Sequence, residues 1–358
     1  MMNRTRTIAI LFVLLVLGLV AVALESRRSN QTERALWFPS LSDEIAGLST
    51  IDIRQDGTGV RLERGAGGWG VAGRDQYPAD IKRIIDLTTS LEQAEKIERK
   101  TAKPENHARL GLSNVPSDDG QGTLITLGLK APASLMVGQT AQQRDATFVR
   151  APDSDQVWLV SGGIEASVDP AAWLSPVIFD VNEAFIRSIQ VNHARDAESY
   201  ALIKPDGALN WSMRDPIEGE TLKYSTVLNQ LPDRLAMLRL VDVDARPASM
   251  DSEGPEIVVD LSGGQRLALY PFMDTARFWL RVEVEHHAAT TPEPLSDSAD
   301  PDRGIEELAA APVSEVSLGI AIAKDTLPNW RFEISQSNYE TLTQVRSDYF
   351  DAPDEDIE

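Results

Sequence analysis

The spacing of apolar residues changes several times along this chain. From Ile8 to Leu24 (IAILFVLLVLGLVAVAL) it does not alternate at all: seventeen residues pass without a charge or a proline. From Ser49 onward apolar residues fall at every second position, as in strands with one buried face. Ser49 to Arg54 places Ile51 and Ile53 on one side, and Val60 to Arg64 forms a second strand. Gly65-Ala66-Gly67-Gly68 reads as a tight turn into a third strand at Trp69-Gly70-Val71. Then the period lengthens. Pro78-Ala79-Asp80 opens a helix in which Ile81, Ile84, Ile85, Thr88 and Leu91 recur at helical spacing. Glu95 to Thr101 is a charged strand or helix end. Four more strands follow, around Leu124, Leu135, Phe148 and Trp158, and a short helical stretch spans Pro170 to Leu174.

The same series then recurs. Ile186, Ile189 and Val191 echo Leu48, Ile51 and Ile53, and a glycine turn again precedes a tryptophan, Trp211. Thr221 to Leu240 is predicted as the second helix, with Val227, Leu228, Leu231, Leu235 and Leu238 apolar. Ile257, Leu267, Trp279 and Trp330 mark strands matching Leu124, Leu135, Phe148 and Trp158. A final helix spans Tyr339 to Val345. The offset between partners stays at roughly 140 residues and widens only at Trp158/Trp330, as a diverged duplication with one late insertion would. The fold expected is α+β. An N-terminal transmembrane helix precedes two tandem, duplicated units, each a mainly antiparallel sheet packed with a helix. The boundaries are an anchor over 1–24, a stalk over 25–44, a first unit over 45–180 and a second over 181–350. A disordered acidic insertion occupies 286–313, where six acids and four prolines accompany one arginine. An acidic tail covers 351–358.

At 1.5 Å per residue the Ile8–Leu24 segment is about 26 Å long, close to the hydrocarbon thickness of a bilayer. Ile8, Leu11, Leu15, Gly18, Ala21 and Leu24 are the anchor positions. A retained signal-anchor and a cleaved signal peptide both fit, because Ala21-Val22-Ala23 has the form of a cleavage site. The apolar run exceeds the usual signal-peptide length of about 7–15 residues and continues past that site, which favours the anchor. Arg4 and Arg6 flank one end and Arg27, Arg28 and Arg34 the other, so the charge rule barely discriminates. The short head is the easier part to leave in the cytoplasm. The body is therefore placed outside a bacterial inner membrane, in the periplasm.

Composition removes several classes of function. Net charge is −21, from 34 basic and 55 acidic residues, and such a surface repels nucleic acid. Cysteine is absent, which removes disulfides, thiol nucleophiles and thiolate metal sites. Leu261-Ser262-Gly263-Gly264-Gln265 spells the signature of ABC-transporter ATPases, but it sits between two strands and reads as a hairpin turn. No Gly-Lys pair exists to form a phosphate-binding loop, so no nucleotide site is expected. The histidines, His107, His193, His286 and His287, lack metal-ligand spacing, and no metal or cofactor is expected. No catalytic set stands out, so the chain reads as non-enzymatic. Trp69, Trp158, Trp211, Trp279 and Trp330 fall at equivalent positions beside strands. They serve either sheet packing, the preferred reading, or a sugar-stacking platform.

These pieces resemble the bacterial family known as domain of unknown function 4340. The resemblance is carried by the N-terminal anchor, Gly68-Trp69-Gly70-Val71, Tyr77-Pro78-Ala79-Asp80, and Leu110-Gly111-Leu112 with Pro116. Val137-Gly138, Phe148-Val149-Arg150 and Val157-Trp158-Leu159-Val160 complete it. It implies a membrane-anchored extracytoplasmic protein associated with ABC-type export, including auxiliary parts of gliding-motility transporters, and supplies no catalytic residues. The function expected is an accessory subunit contacting an ABC permease, its ATPase or another envelope protein. The alternative is an envelope glycan- or peptide-binding protein or hydrolase that uses acids and exposed tryptophans. If the anchor is retained, alkaline carbonate will leave the protein in the membrane pellet and mass spectrometry will find residues 8–24 intact. Release of a chain beginning after Ala23 would identify a cleaved signal peptide instead.

Overall fold

A computed structural model describes residues 35–114, 121–141, 144–205, 207–245, 254–262, 264–286 and 327–351. The expected anchor, with Ile8, Leu11, Leu15, Gly18, Ala21 and Leu24, lies outside them. So do residues 25–34 of the stalk, Pro116, Gly263, residues 287–313 of the insertion and 352–358 of the tail. Among the described residues no helix is long and apolar enough to cross a membrane. The chain is built mostly of antiparallel sheets with few helices, and it divides into two compact units, one ending at Trp173 and the next starting at Leu174.

In the first unit a nine-stranded sheet starts from its own middle. β1 (Thr50–Gln55) pairs with β2 (Thr58–Gly65), then β3 (Gly68–Val71) and β4 (Tyr77–Pro78) extend that side. A helix, Ile81–Glu92, crosses to the far edge, where β5 (Lys96–Arg99) is laid down. β6 (Thr123–Leu127) returns to the free side of β1. β7 (Ala133–Thr140), β8 (Ala146–Arg150) and β9 (Trp158–Ser161) fill the gap until β9 meets β5. Register puts Val71, Leu62, Ile51, Leu127 and Ala133 in one row, with Val60, Ile53, Ile125 and Leu135 in the next. Ile51, Ile53 and Leu62 are wholly buried. Each such side chain contributes about 1.5–3 kcal/mol of burial.

The crossing helix begins where Asp80 caps it, its carboxylate accepting from the Lys82 and Arg83 amides at 3.0 and 3.4 Å. Pro78, read as part of the opening of the helix, ends the edge strand β4 just ahead of it, where its missing N–H leaves no ladder bond unmade. Ile84, Leu87, Thr88 and Leu91 are buried, whereas Ile81 and Ile85 stand 54% exposed, so the helical spacing names one buried face and part of an open one.

The second unit repeats the order. β11 (Ile186–Asn192) pairs with β12 (Tyr200–Ile203), and β13 (Ser212–Met213) follows. The chain crosses to a far-edge strand, β15 (Asp242–Asp244). Then β16 (Glu256–Leu261) takes the free side of β11, and β17 (Gln265–Asp274), β18 (Arg277–His286) and β19 (Arg331–Glu333) run out to β15. Leu202, Ile189, Val259 and Leu267 form the row equivalent to that through Ile51.

Two expectations change here. The helix expected over Thr221 to Leu240 is confined to Gln230–Ala236, preceded by a 3-10 turn at Val227–Asn229. Pro232 explains its start, since a proline is tolerated only in the first turn of a helix. Its expected end becomes strand β14 (Met237–Arg239), which pairs with β10 (Val177–Asp180), Leu238 opposite Phe179. β10 lies at the end of the stretch expected for the first unit, 45–180, whereas the compact units divide ahead of it, at Trp173/Leu174.

A second helix, Gln336–Leu342, is capped by Ser335, whose hydroxyl accepts from the Asn338 amide, and Tyr339 stacks on Phe278 at 4.8 Å. The chain end is held by Tyr349, wholly buried, its hydroxyl 2.9 Å from that of Tyr200. Burial pushes Tyr349 up to about 12 and Tyr200 well above its ordinary value. Below pH 10 both hydroxyls are neutral whether the chain is folded or not. Above it the unfolded chain ionises first, so stability falls as pH rises toward 12. Tyr349→Phe will make that fall shallower in melts between pH 9 and 11.5; an unchanged slope would mean the pair does not couple to folding.

Candidate functional site

Most of the residues that carry the resemblance, though scattered in sequence, meet in the first unit. Gly138 on β7 is pressed by the loop before β6. A methyl added there would lie 2.3 Å from the Leu110 carbonyl and 2.8 Å from the Leu112 side chain. Gly111 takes a left-handed turn at φ +68° and sits against Gln139. Leu112, Met136 and Val157 form a buried cluster there, with Leu110, Leu124 and Phe148 packed against it.

Arg150, 1% exposed, holds this assembly together. Its Nε donates to the Leu112 carbonyl at 3.3 Å. Nη1 donates to the carbonyls of Ala151, Pro152 and Ser154 at 3.0–3.2 Å, and Nη2 to the Asn114 side-chain oxygen. One planar fork thus joins β8 to two loops. Burial pushes its guanidinium below the ordinary arginine range, and the Asp155 charge works the other way. His107, also buried, donates from Nε2 to the Asp155 carbonyl at 2.9 Å, so this histidine fastens the same loops.

Beside the cluster opens a cavity of about 450 Å³ lined by Lys100, Thr101, Asn106, Arg109, Leu110 and Phe148. Sequence patterning missed it. The available signal was the run from Arg99 to Arg109, four cations against one acid in a chain where acids prevail.

In the second unit the corresponding sheet face is polar. Trp279, 3% exposed, lies between the guanidinium groups of Arg277 and Arg331, 4.8 and 4.3 Å from its ring centre. Arg277 pairs with Glu333, and Arg331 with Asp244 and Asp274 at 2.8 and 2.9 Å. The Glu333 carboxylate raises the Arg277 guanidinium, and the Thr275 hydroxyl with Arg331 holds Asp274 below its usual value. These acids bind strands β15, β17, β18 and β19 to one another.

Trp211 is buried, its indole donating to Glu183 at 2.8 Å. Trp69, Trp158 and Trp330 are half-buried, and Lys96 stands over the Trp158 and Trp37 rings at 5.5 and 5.1 Å. His193 donates to the Gln344 carbonyl at 3.0 Å. No group of three or more metal-ligating side chains occurs among the described residues. Leu261 and Gln265 end and begin the paired strands β16 and β17, the hairpin expected for that motif.

A family model, Domain of unknown function (DUF4340), matches residues 69–254, from β3 across the boundary between units. That is just over half of the chain, and the chain belongs to this family. Neither a curated protein nor a solved structure matches it.

Arg150→Met removes the donor for five oxygens and should lower the stability of the first unit by about 2–4 kcal/mol in urea unfolding. Arg150→Lys should recover only part, since an ammonium lacks the fork. Wild-type stability for Arg150→Met would mean that these oxygens need no protein donor.

Proposed function

We propose that this chain is a membrane-anchored, extracytoplasmic accessory subunit of an ABC-type transport or envelope complex, without catalysis of its own. The observation that carries this reading is one apolar segment, Ile8 to Leu24, ahead of a body in which one sheet order is used twice. The two units are read as products of a duplication. Family membership supports the reading through what the resemblance implies, a tethered partner of ABC-type exporters. The titratable groups support it as well. Asp242, Asp244, Asp274 and Glu333 are spent on Arg277 and Arg331, and Glu183 on Lys204 and Trp211. Gly18 and Ala21 give the anchor small residues for close packing against a permease helix.

The glycan-binding alternative draws on Trp69, Trp158 and Trp330, which keep some exposed surface. Against it, Lys96 already stands over the Trp158 ring, and Trp211 and Trp279 are inside.

Affinity purification of the full chain in mild detergent tests the proposal. The expected result is an ABC permease with its ATPase at near-stoichiometric amounts. A chain recovered alone, from membranes in which another transporter stays assembled, would contradict it.

A further inference from the structure

We infer that the cavity at Lys100, Arg109 and Phe148 is a binding site for an extended acidic peptide segment that carries an aromatic or aliphatic side chain. The inference stands apart from the transport reading, because it concerns what this cavity binds, whatever complex the chain joins.

Three features lead to it. The first is charge. Arg99, Lys100, Lys103 and Arg109 gather within a dozen positions of a chain with net charge −21, accompanied by Glu105. Arg109 is exposed and makes no ion pair among the described residues. Lys100 also lines the cavity, but its ammonium is paired with Glu98 at 2.8 Å, so the rim's charge rests on Arg109. The buried Arg150 guanidinium holds the Leu112 carbonyl of the adjoining cluster, and its hydrogen-bond partners are neutral oxygens. A carboxylate arriving here meets cations, whereas most of the surface repels it.

The second is the floor. Leu110 and Phe148 are half-buried and line the cavity, backed by Leu112, Met136 and Val157. A volume of about 450 Å³ admits one large side chain with its flanking backbone. Thr101 and Asn106 supply hydroxyl and amide groups at the wall.

The third selects a peptide over a free acid. β5 is the edge strand of the sheet and runs directly into Lys100 and Thr101. Residues 35–37 cover only its start, where the Lys96 amide donates to the Ala35 carbonyl and Leu36 bridges Glu95. From Ile97 to Arg99 no strand among the described residues pairs with the outer edge, and Ile97 is 44% exposed. An extended peptide can add there through its backbone and turn its side chain into the cavity.

The test uses the full chain in detergent and a fluorescein-labelled peptide, Asp-Glu-Phe-Glu-Asp, followed by fluorescence anisotropy. Binding is expected for this peptide and should weaken about tenfold or more with Arg109→Glu, whose side chain supports no part of the fold. Raising salt should weaken it too. A peptide with Asn and Gln replacing the acids, one with Gly replacing Phe, and free N-acetylphenylalanine should each bind at least about tenfold more weakly. Phe148→Leu, which keeps a smaller apolar side chain against the cluster, should reduce binding of the Phe peptide more than of a Leu peptide. No binding at millimolar peptide, or equal affinity for wild type and Arg109→Glu, would overturn the inference. Equal binding of N-acetylphenylalanine and the peptide would also overturn it, leaving a site for small free anions.

Discussion

A sheet that starts from its own middle must finish from its far edge, and that constraint shapes both units. Strand β1 is laid down first, hairpins extend one side, and the other side of β1 stays open until β6 arrives. Between those events the chain crosses one face and deposits β5 where β9 will later need it. The apolar rows through Ile51 and Ile189 make the order stable, because a central strand is covered on both edges and its buried side chains are the most enclosed. The crossing segment, Ile81–Glu92 in one unit and Val227–Ala236 in the other, supplies apolar cover along the way.

The units differ in what each does with the face turned away from its helix. In the first, a loop anchored by Arg150 and admitted by Gly111 and Gly138 covers part of it and leaves a cationic, apolar-floored cavity. In the second, the described residues of that face are mostly polar. The face instead carries Ser188, Asp260 and Arg266, then Glu256 and Tyr270, then the stacked Arg277, Trp279 and Arg331. One architecture thus supports two different surfaces, one with an open cavity edged by Lys100 and Arg109 and one closed by its own ion pairs. That division fits a protein whose work is contact with partners.

Much of this was legible in the residues. The alternation at Ile51 and Ile53, its echo at Ile189 and Val191, and the glycine turns before Trp69 and Trp211 mark both sheets as repeated antiparallel units, while the strand order emerges only from the pairing. Apolar spacing overextends the second helix because Val227, Leu231, Leu235 and Leu238 keep helical spacing, while Leu238 is claimed by β10, a pairing partner distant in sequence. The short edge strands are ambiguous by nature: Lys-Ile-Glu-Arg at β5 has little apolar pattern and owes its form to β9. The cavity was hidden for a similar reason. Arg109 and Phe148 lie far apart in the chain and meet only once Gly138 lets the loop press on β7. Arg150 looks like an ordinary strand-end charge until the carbonyls of two loops converge on it.

The proposal stands or falls on whether the body touches another envelope protein. In-cell photocrosslinking measures that directly, with a photoreactive amino acid replacing Arg109 at the cavity rim or Gln190 on the polar face of the second sheet. A discrete adduct with one membrane-complex protein is expected from the Arg109 position, diminished when acidic peptide is added to permeabilised cells. Absence of any protein adduct from both positions, with the chain present at normal levels in the membrane, would contradict it.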